Sequence, residues 1–201
     1  MRRFDGRYSA SFLRNALVAG KGIARRALLV ATLMLTVCLI VGSCRASEPA
    51  AKATLTALVL KVVDGDTVDI IDDARGRLRV RVLGIDTPET KRPRYTVGCG
   101  GPEATRYAES VLSGQRVAVE VDPGQDNHDR YGRTLAALFL ADGSNYAVEA
   151  VRSGHARAYV YGHRPSRWAS EIMAAERQAK SARIGIWGPP CRGHTESART
   201  S

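Results

Sequence analysis

Three short clusters in the chain combine carboxylates and guanidinium groups in a way that suits phosphoester chemistry. They are Asp64-Gly65-Asp66-Thr67, then Arg81 followed by Asp86-Thr87-Pro88-Glu89, then Asp129-Arg130-Tyr131-Gly132-Arg133. Asp66 and Asp86 are hard oxygen donors. With a backbone carbonyl and waters they would complete a site for Ca²⁺, a cation that takes about 6–8 oxygens. Arg81 and Arg133 offer planar forks of donors that match phosphate oxygens bidentately. Glu89 is a further carboxylate that need not bind metal and is placed to orient or deprotonate a water. A cation, two guanidiniums and a carboxylate meet the needs of phosphodiester hydrolysis: stabilised charge on phosphorus and an activated nucleophile.

Each cluster also has a plainer reading. Asp-Gly-Asp-Thr is a common turn string, alternating arginines at 77, 79 and 81 suit a solvated strand face, and Pro with acids suits a helix start. What favours the chemical reading is that all three fall at strand ends of one small domain. His128, His155, His163 and His194 show no ligand spacing and read as surface or loop residues. Two isolated cysteines without a CxxC make zinc a poor candidate.

The elements that must position these residues follow from pattern. Thr54–Val63 is apolar and rich in β-formers, Asp64-Gly65 turns the chain, and Thr67–Ile71 is a second strand. Arg77–Leu83 alternates with period two, Leu78, Val80 and Val82 on one face and the arginines on the other. Pro102 opens a helix that stops near Gly114. Strands at Arg116–Val121 and Thr134–Leu140 flank a polar loop, Asn145 caps a short helix ending at Gly154, and Ser166 is placed to cap a longer one reaching about Arg183. The order βββ-α-ββ-α-α predicts an α+β, mainly β fold: a five-stranded OB-fold Greek-key barrel with three helices.

The 201 residues carry 30 basic and 20 acidic side chains, a net +10 and a pI near 9.9. Residues 1–44 hold seven of the basic residues and one acid, so the remainder is 23 against 19, net +4. More than half of the excess therefore sits in a leader, and the case for a nucleic-acid partner has to come from particular residues. The 44% apolar and 25% charged composition is that of a globular chain, excluding wholesale disorder or a multi-span membrane protein.

Ala27–Cys44 is uncharged, preceded by basic residues and closed by small ones, the layout of an export signal. Val41-Gly42-Ser43-Cys44 is similar to a bacterial lipobox, making Cys44 a candidate for lipidation. Cleavage after Ala46 and an uncleaved anchor are the alternatives. The expected organisation is a leader at 1–44, a linker at 45–53, a domain at 54–189 and a disordered tail at 190–201. Localisation would be extracellular or in the cell envelope, with membrane contact only through the leader or a lipid. In such an oxidising compartment the remaining pair, Cys99 and Cys191, is proposed to form a disulfide.

Val63-Asp64-Gly65-Asp66-Thr67-Val68, Arg81 through Thr90, Gly101-Pro102-Glu103-Ala104 and Asp129–Arg133 together resemble the thermonuclease (staphylococcal-nuclease-like) family. The likeness runs from about Thr54 to Trp187 and includes Ala158-Tyr159-Val160-Tyr161. It implies Ca²⁺-dependent cleavage of DNA and RNA with little sugar specificity, leaving 3′-phosphate ends, by a monomer. By position, Asp66 and Asp86 match metal carboxylates, Thr87 a carbonyl ligand, and Asp64 an outer acid near the metal. Glu89 matches the water-orienting or general-base carboxylate, and Arg81 and Arg133 the phosphate-binding arginines. Tyr131, Tyr159 and Tyr161 match tyrosines lining the nucleotide site, with closure of the barrel wall as their alternative. The family also contains domains that have lost catalysis, so an inactive single-stranded nucleic-acid-binding module is the second expectation. One departure is the loop Lys91-Arg92-Pro93-Arg94-Tyr95, where Tyr95 stands in place of a phosphate-contacting lysine.

Overall fold

The computed structural model describes residues 54–200. The leader, the lipidation of Cys44 and the whole linker lie outside the described residues.

Strands β1 (Ala57–Asp64), β2 (Thr67–Asp72) and β3 (Gly76–Val82) form an antiparallel meander. After the two-residue β4 (Ile85–Asp86) comes helix α1 (Gly101–Leu112), then β5 (Arg116–Glu120) and β6 (Thr134–Phe139). The barrel closes in the order β1-β2-β3-β6-β5, with β3 and β6 parallel and every other pair antiparallel. This is the expected five-stranded OB barrel. Its interior is filled by the alternate residues of each strand, among them Val59, Val68, Ile70, Val80, Val82 and Leu138. Burying such side chains contributes about 1.5–3 kcal/mol each.

Helix α2 (Tyr146–Arg152) starts where Asn145 accepts a hydrogen bond from the Ala147 amide at 2.9 Å. A short strand β7 (Arg157–Ala158) pairs with β4 in a separate two-stranded ribbon, Ile85 opposite Ala158 and Asp86 opposite Arg157. That ribbon has too little periodicity to be read from sequence. Helix α3 (Ala169–Ala182) begins later than expected. Ser166 does not cap it. Its carbonyl accepts from the Ala169 amide in a preceding turn, its hydroxyl is buried without a partner, and Asp122 takes the Arg167 amide at 2.7 Å.

Residues 190–200 are not a loose tail. Cys191 is bonded to Cys99, with 5.6 Å between their Cα atoms, and both Cys191 and Thr195 are buried. Further along, the Thr96 amide donates to the Ala198 carbonyl at 2.8 Å and the Thr200 amide to the Arg94 carbonyl at 2.9 Å. The segment is polar and lacks a periodic apolar stripe, so its order comes from the covalent tie and backbone pairing. The Cys99–Cys191 tie is the one expected from the cysteine pair, whereas the backbone pairing has no sequence signature.

Candidate active site

Two pairing registers bring the three clusters together. In the β2–β3 ladder Thr67 stands opposite Arg81, so Asp66, one residue earlier, reaches the end of β3. In the parallel β3–β6 ladder Val80 stands opposite Thr134 and Arg81 opposite Leu135, which puts Arg133 at the same rim. The third cluster thus reaches the first two through a parallel pairing that no local pattern predicts.

Arg81 is the hub. It lies on the same strand face as Arg77 and Arg79, which are exposed, yet only 13% of its side chain is accessible. Its Nε lies 3.1 Å from Asp66 Oδ1 and its Nη2 donates to Asp86 Oδ1 at 2.9 Å. Nη1 donates to the carbonyls of Val82 and Ile85 at 2.9 and 2.8 Å. A solvated strand face describes Arg77 and Arg79 but not Arg81.

Asp66 is buried and fully engaged. Besides Arg81, its Oδ1 accepts from the Thr67 hydroxyl at 3.0 Å, and its Oδ2 accepts from the Thr87 amide and hydroxyl at 2.9 and 3.0 Å. Thr67 in turn accepts from Arg133 Nη1 at 3.4 Å, linking the second arginine to the carboxylate. Asp129 holds Arg133 through Nε at 2.6 Å and through its amide at 3.0 Å. Burial acts upward on the Asp129 carboxyl, but the hydrogen bonds from Arg133 and the Tyr131 amide bring its pKa below the ordinary value.

The acids crowd one another. Burial, and then the charge of Asp66, push Asp64 up to about 6. Partial desolvation at the pocket edge, followed by the Asp66 charge, raises the Asp86 pKa from its ordinary value against the pull of Arg81. Such an excess of hard oxygens over nearby cations is the environment a hard divalent ion relieves. Among the described residues no three His, Cys, Asp or Glu side chains converge into a ready-made cage. A bound ion would therefore draw on Asp86, the Thr87 carbonyl, water and Asp66, the last by exchanging one of its present hydrogen bonds. The donor set fits Ca²⁺ on those terms.

Glu89 stands apart from this network. It is exposed, and its Oε1 accepts from the amides of Thr90 and Lys91, both at 2.9 Å, which fixes the carboxylate on its own loop. It remains close enough for its charge to raise the Asp86 pKa. Beside the hub lies a pocket of about 550 Å³, walled by Arg81, Asp86, Arg133, Tyr131, Tyr159 and Tyr161, among others. The three tyrosines are exposed at its edge, Tyr131 by 68% and Tyr161 by 64%, so they do not close the barrel wall. Arg130 donates to the Tyr131 hydroxyl at 2.7 Å and lies 4.8 Å from its ring centre. Arg164 lines the same pocket but is paired with Asp126 at 2.7 Å, and Arg167 is paired with Glu120.

Sequence reasoning missed two positioning residues. Tyr146 on α2 is wholly buried and its hydroxyl donates to the Gly65 carbonyl at 2.7 Å, pinning the turn between Asp64 and Asp66. Gly84 lets the β3–β4 turn approach α3: a Cβ there would lie 2.5 Å from Ile172 Cδ1, and its φ is +82°. Its carbonyl accepts from the Tyr159 amide at 2.8 Å, which brings a pocket tyrosine to the site. A lone tyrosine at a helix start carries no signal of such a role.

A closed five-stranded OB barrel whose rim gathers carboxylates and arginines beside an aromatic pocket is a scaffold for handling phosphate-bearing polymers. The chain belongs to the staphylococcal nuclease homologue family, whose model matches residues 79–189. It is 37% identical over 130 residues to a thermonuclease of Staphylococcus intermedius, covering 65% of this chain and 74% of that protein. It is 36% identical over 133 residues to a thermonuclease of Staphylococcus hyicus, covering 66% and 75%. Endonuclease YncB of Bacillus subtilis is 34% identical over 128 residues, covering 63% of this chain and 59% of that protein.

Proposed function

We propose that this chain is an exported or membrane-anchored, calcium-dependent nuclease that hydrolyses phosphodiester bonds in DNA and RNA and leaves 3′-phosphate ends. The observation that carries the reading is the convergence of Asp66, Asp86, Arg81 and Arg133 on one rim beside an aromatic pocket. Membership of a family with thermonuclease and endonuclease relatives supports it.

Asp66, Asp86 and the Thr87 carbonyl would hold the calcium ion, which when bound supplies positive charge beside the reacting phosphate. Glu89 orients a water and takes its proton as the water oxygen attacks phosphorus. The P–O5′ bond breaks, the 5′ oxygen leaves as a hydroxyl after taking a proton from solvent water, and the phosphate stays on the 3′ oxygen of the preceding nucleotide. Arg133 offers the phosphate chiefly its Nη2, because Asp129 holds its Nε and Nη1 makes a long contact to the Thr67 hydroxyl. Arg81 is more committed: every nitrogen of its fork has a protein partner. It therefore holds the carboxylates in place and reaches phosphate only by exchanging one of those bonds. Tyr131, Tyr159 and Tyr161 present ring faces for stacking on a base.

The test is cleavage of single-stranded DNA and RNA by the full chain with Ca²⁺ and with chelator, followed by analysis of the product ends. Calcium-dependent products that a polymerase extends only after phosphatase treatment are expected. Tight strand binding without cleavage under any divalent ion would move the protein to the second reading, a binding module.

A further inference from the structure

Most arginines on this domain are neutralised. Arg75, Arg79, Arg106, Arg116, Arg152 and Arg164 each have a carboxylate partner on the domain surface. Arg77, Arg130, Arg177, Arg183 and Arg192 also lack a carboxylate within 4.0 Å among the described residues, but one further group of such cations is gathered by backbone pairing. Lys91, Arg92 and Arg94 on the loop after Glu89, and Arg199 on the strap formed by residues 190–200, are all exposed and have no carboxylate within 4.0 Å among the described residues.

The strap and the loop are held together as one unit. Arg199 pairs with Tyr95 in an antiparallel bridge, the Thr200 amide donates to the Arg94 carbonyl, and the Ala198 amide donates to the Thr96 hydroxyl at 2.9 Å. The Arg92 guanidinium lies 3.9 Å from the centre of the Tyr95 ring. The unit is fixed to the site at both ends. The Gly98 amide donates to the Glu89 carbonyl at 2.8 Å, and a Cβ at Gly98 would meet the Thr195 carbonyl at 2.6 Å and the Glu89 amide at 3.1 Å. The Lys91 ammonium donates to the Val63 carbonyl, beside Asp64. The Cys99–Cys191 bond ties the base of the loop to the root of the strap.

We propose that this disulfide-tied strap and loop form a phosphate track for the strand of nucleic acid that runs on beyond the scissile nucleotide, with Arg92, Arg94 and Arg199 as its contacts. Four unpaired cations held beside a site for a polyanion create a positive potential that draws a strand in. The Tyr95 ring, already stacked on a guanidinium, gives a flat neighbour for an unpaired base. The inference rests on the nuclease reading for its substrate class, but it concerns strand binding and not the chemistry.

The experiment separates the two. Affinity of the full chain for a labelled single-stranded 20-mer is measured by fluorescence anisotropy in chelator, across a salt series, without reference to cleavage. Wild type is compared with Arg199→Ser, with the combined Arg92→Ser, Arg94→Ser, Arg199→Ser variant, and with Arg177→Ser, an exposed arginine on α3. Each lost single-strand phosphate contact removes about 0.7 from the slope of log affinity against log salt. The combined variant should lose about 2 in slope and bind at least about tenfold more weakly at low salt. Arg199→Ser should lose about one contact's worth and Arg177→Ser none. Unchanged affinity and slope in the combined variant, or an equal loss in Arg177→Ser, would overturn the track. So would loss of binding to anionic phospholipid vesicles with strand binding intact, which would make the patch a membrane contact. If wild type binds the strand in this pattern but cleaves nothing, the nuclease reading fails while the track stands.

Discussion

The buried hydroxyl of Tyr146 donates a 2.7 Å hydrogen bond to the carbonyl of Gly65, 81 residues earlier in the chain. A core side chain thereby sets the height of the turn that carries Asp64 and Asp66. The turn is also pressed from its other side: a Cβ on Gly65 would lie 2.7 Å from Thr87 Cγ2 and 3.0 Å from Ala104 Cβ. The first two acidic clusters meet because this glycine lets them.

Tyr146→Phe keeps the packing and removes the donor, leaving the Gly65 carbonyl buried without that partner. Stability should fall by about 1–3 kcal/mol in urea denaturation. Activity should fall further than the unfolded fraction accounts for. Gly65→Ala should also destabilise, by about 1–3 kcal/mol, through overpacking. A Tyr146→Phe protein with wild-type stability and rate would remove the positioning role.

The two arginines should separate in their effects. Arg81 holds Asp66 and Asp86 and satisfies two carbonyls, so Arg81→Ala leaves a buried carboxylate and should cost about 3–5 kcal/mol of stability along with activity. The Arg133 side chain is 27% accessible and pairs chiefly with Asp129, so its loss should change stability by about 1 kcal/mol or less. Both should lower kcat by at least about 100-fold, as removal of charge-stabilising donors does elsewhere. Denaturation midpoints beside steady-state rates check this. A loss below tenfold for Arg81→Ala would end its role.

Acid stability should carry a recognisable contribution from Asp72, far from the site. The Arg75 side chain, first, and then the amides of Arg75 and Ala74 bring its pKa down to about 2 in the fold, against the opposing effect of burial. A carboxyl depressed in the folded state stabilises above its unfolded pKa and loses that contribution as pH falls through the folded one. The window is therefore from about pH 4 down to about pH 2, with about 1–2 kcal/mol at stake once the exposure of Arg75 is allowed for. Asp72→Asn should flatten that part of the stability profile while leaving activity at neutral pH alone. A profile as steep as wild type would contradict it.

Much of the barrel was legible because its strands alternate and its turns carry Asp-Gly and Gly signals. The Asn145 cap and the Pro102 helix start follow from local chemistry in the same way. Arg133 was legible as a phosphate-type side chain, but its position beside Arg81 depends on the parallel β3–β6 pairing, a long-range contact with no local signature. Tyr146 and the order of the strap were illegible for a related reason, although the Cys99–Cys191 pairing itself was expected. Their roles come from a single hydrogen bond and from a covalent tie between residues 92 positions apart. Ser166 had the right type for a cap, but Asp122 competed for the same turn and took its donor. Glu89 was legible as a carboxylate near the acids, though not as one whose Oε1 is fixed by its own loop.

The central claim is that this rim hydrolyses phosphodiesters with Glu89 as the carboxylate acting on water. The most direct measurement is the single-turnover rate on single-stranded DNA with saturating Ca²⁺ for wild type and Glu89→Ser, with strand affinity measured on the same samples. A fall of at least about 100-fold in rate with affinity within about threefold is the predicted result, in the range that a lost general base costs. A fall below about tenfold, with the calcium dependence intact, would contradict it and assign the water to another group.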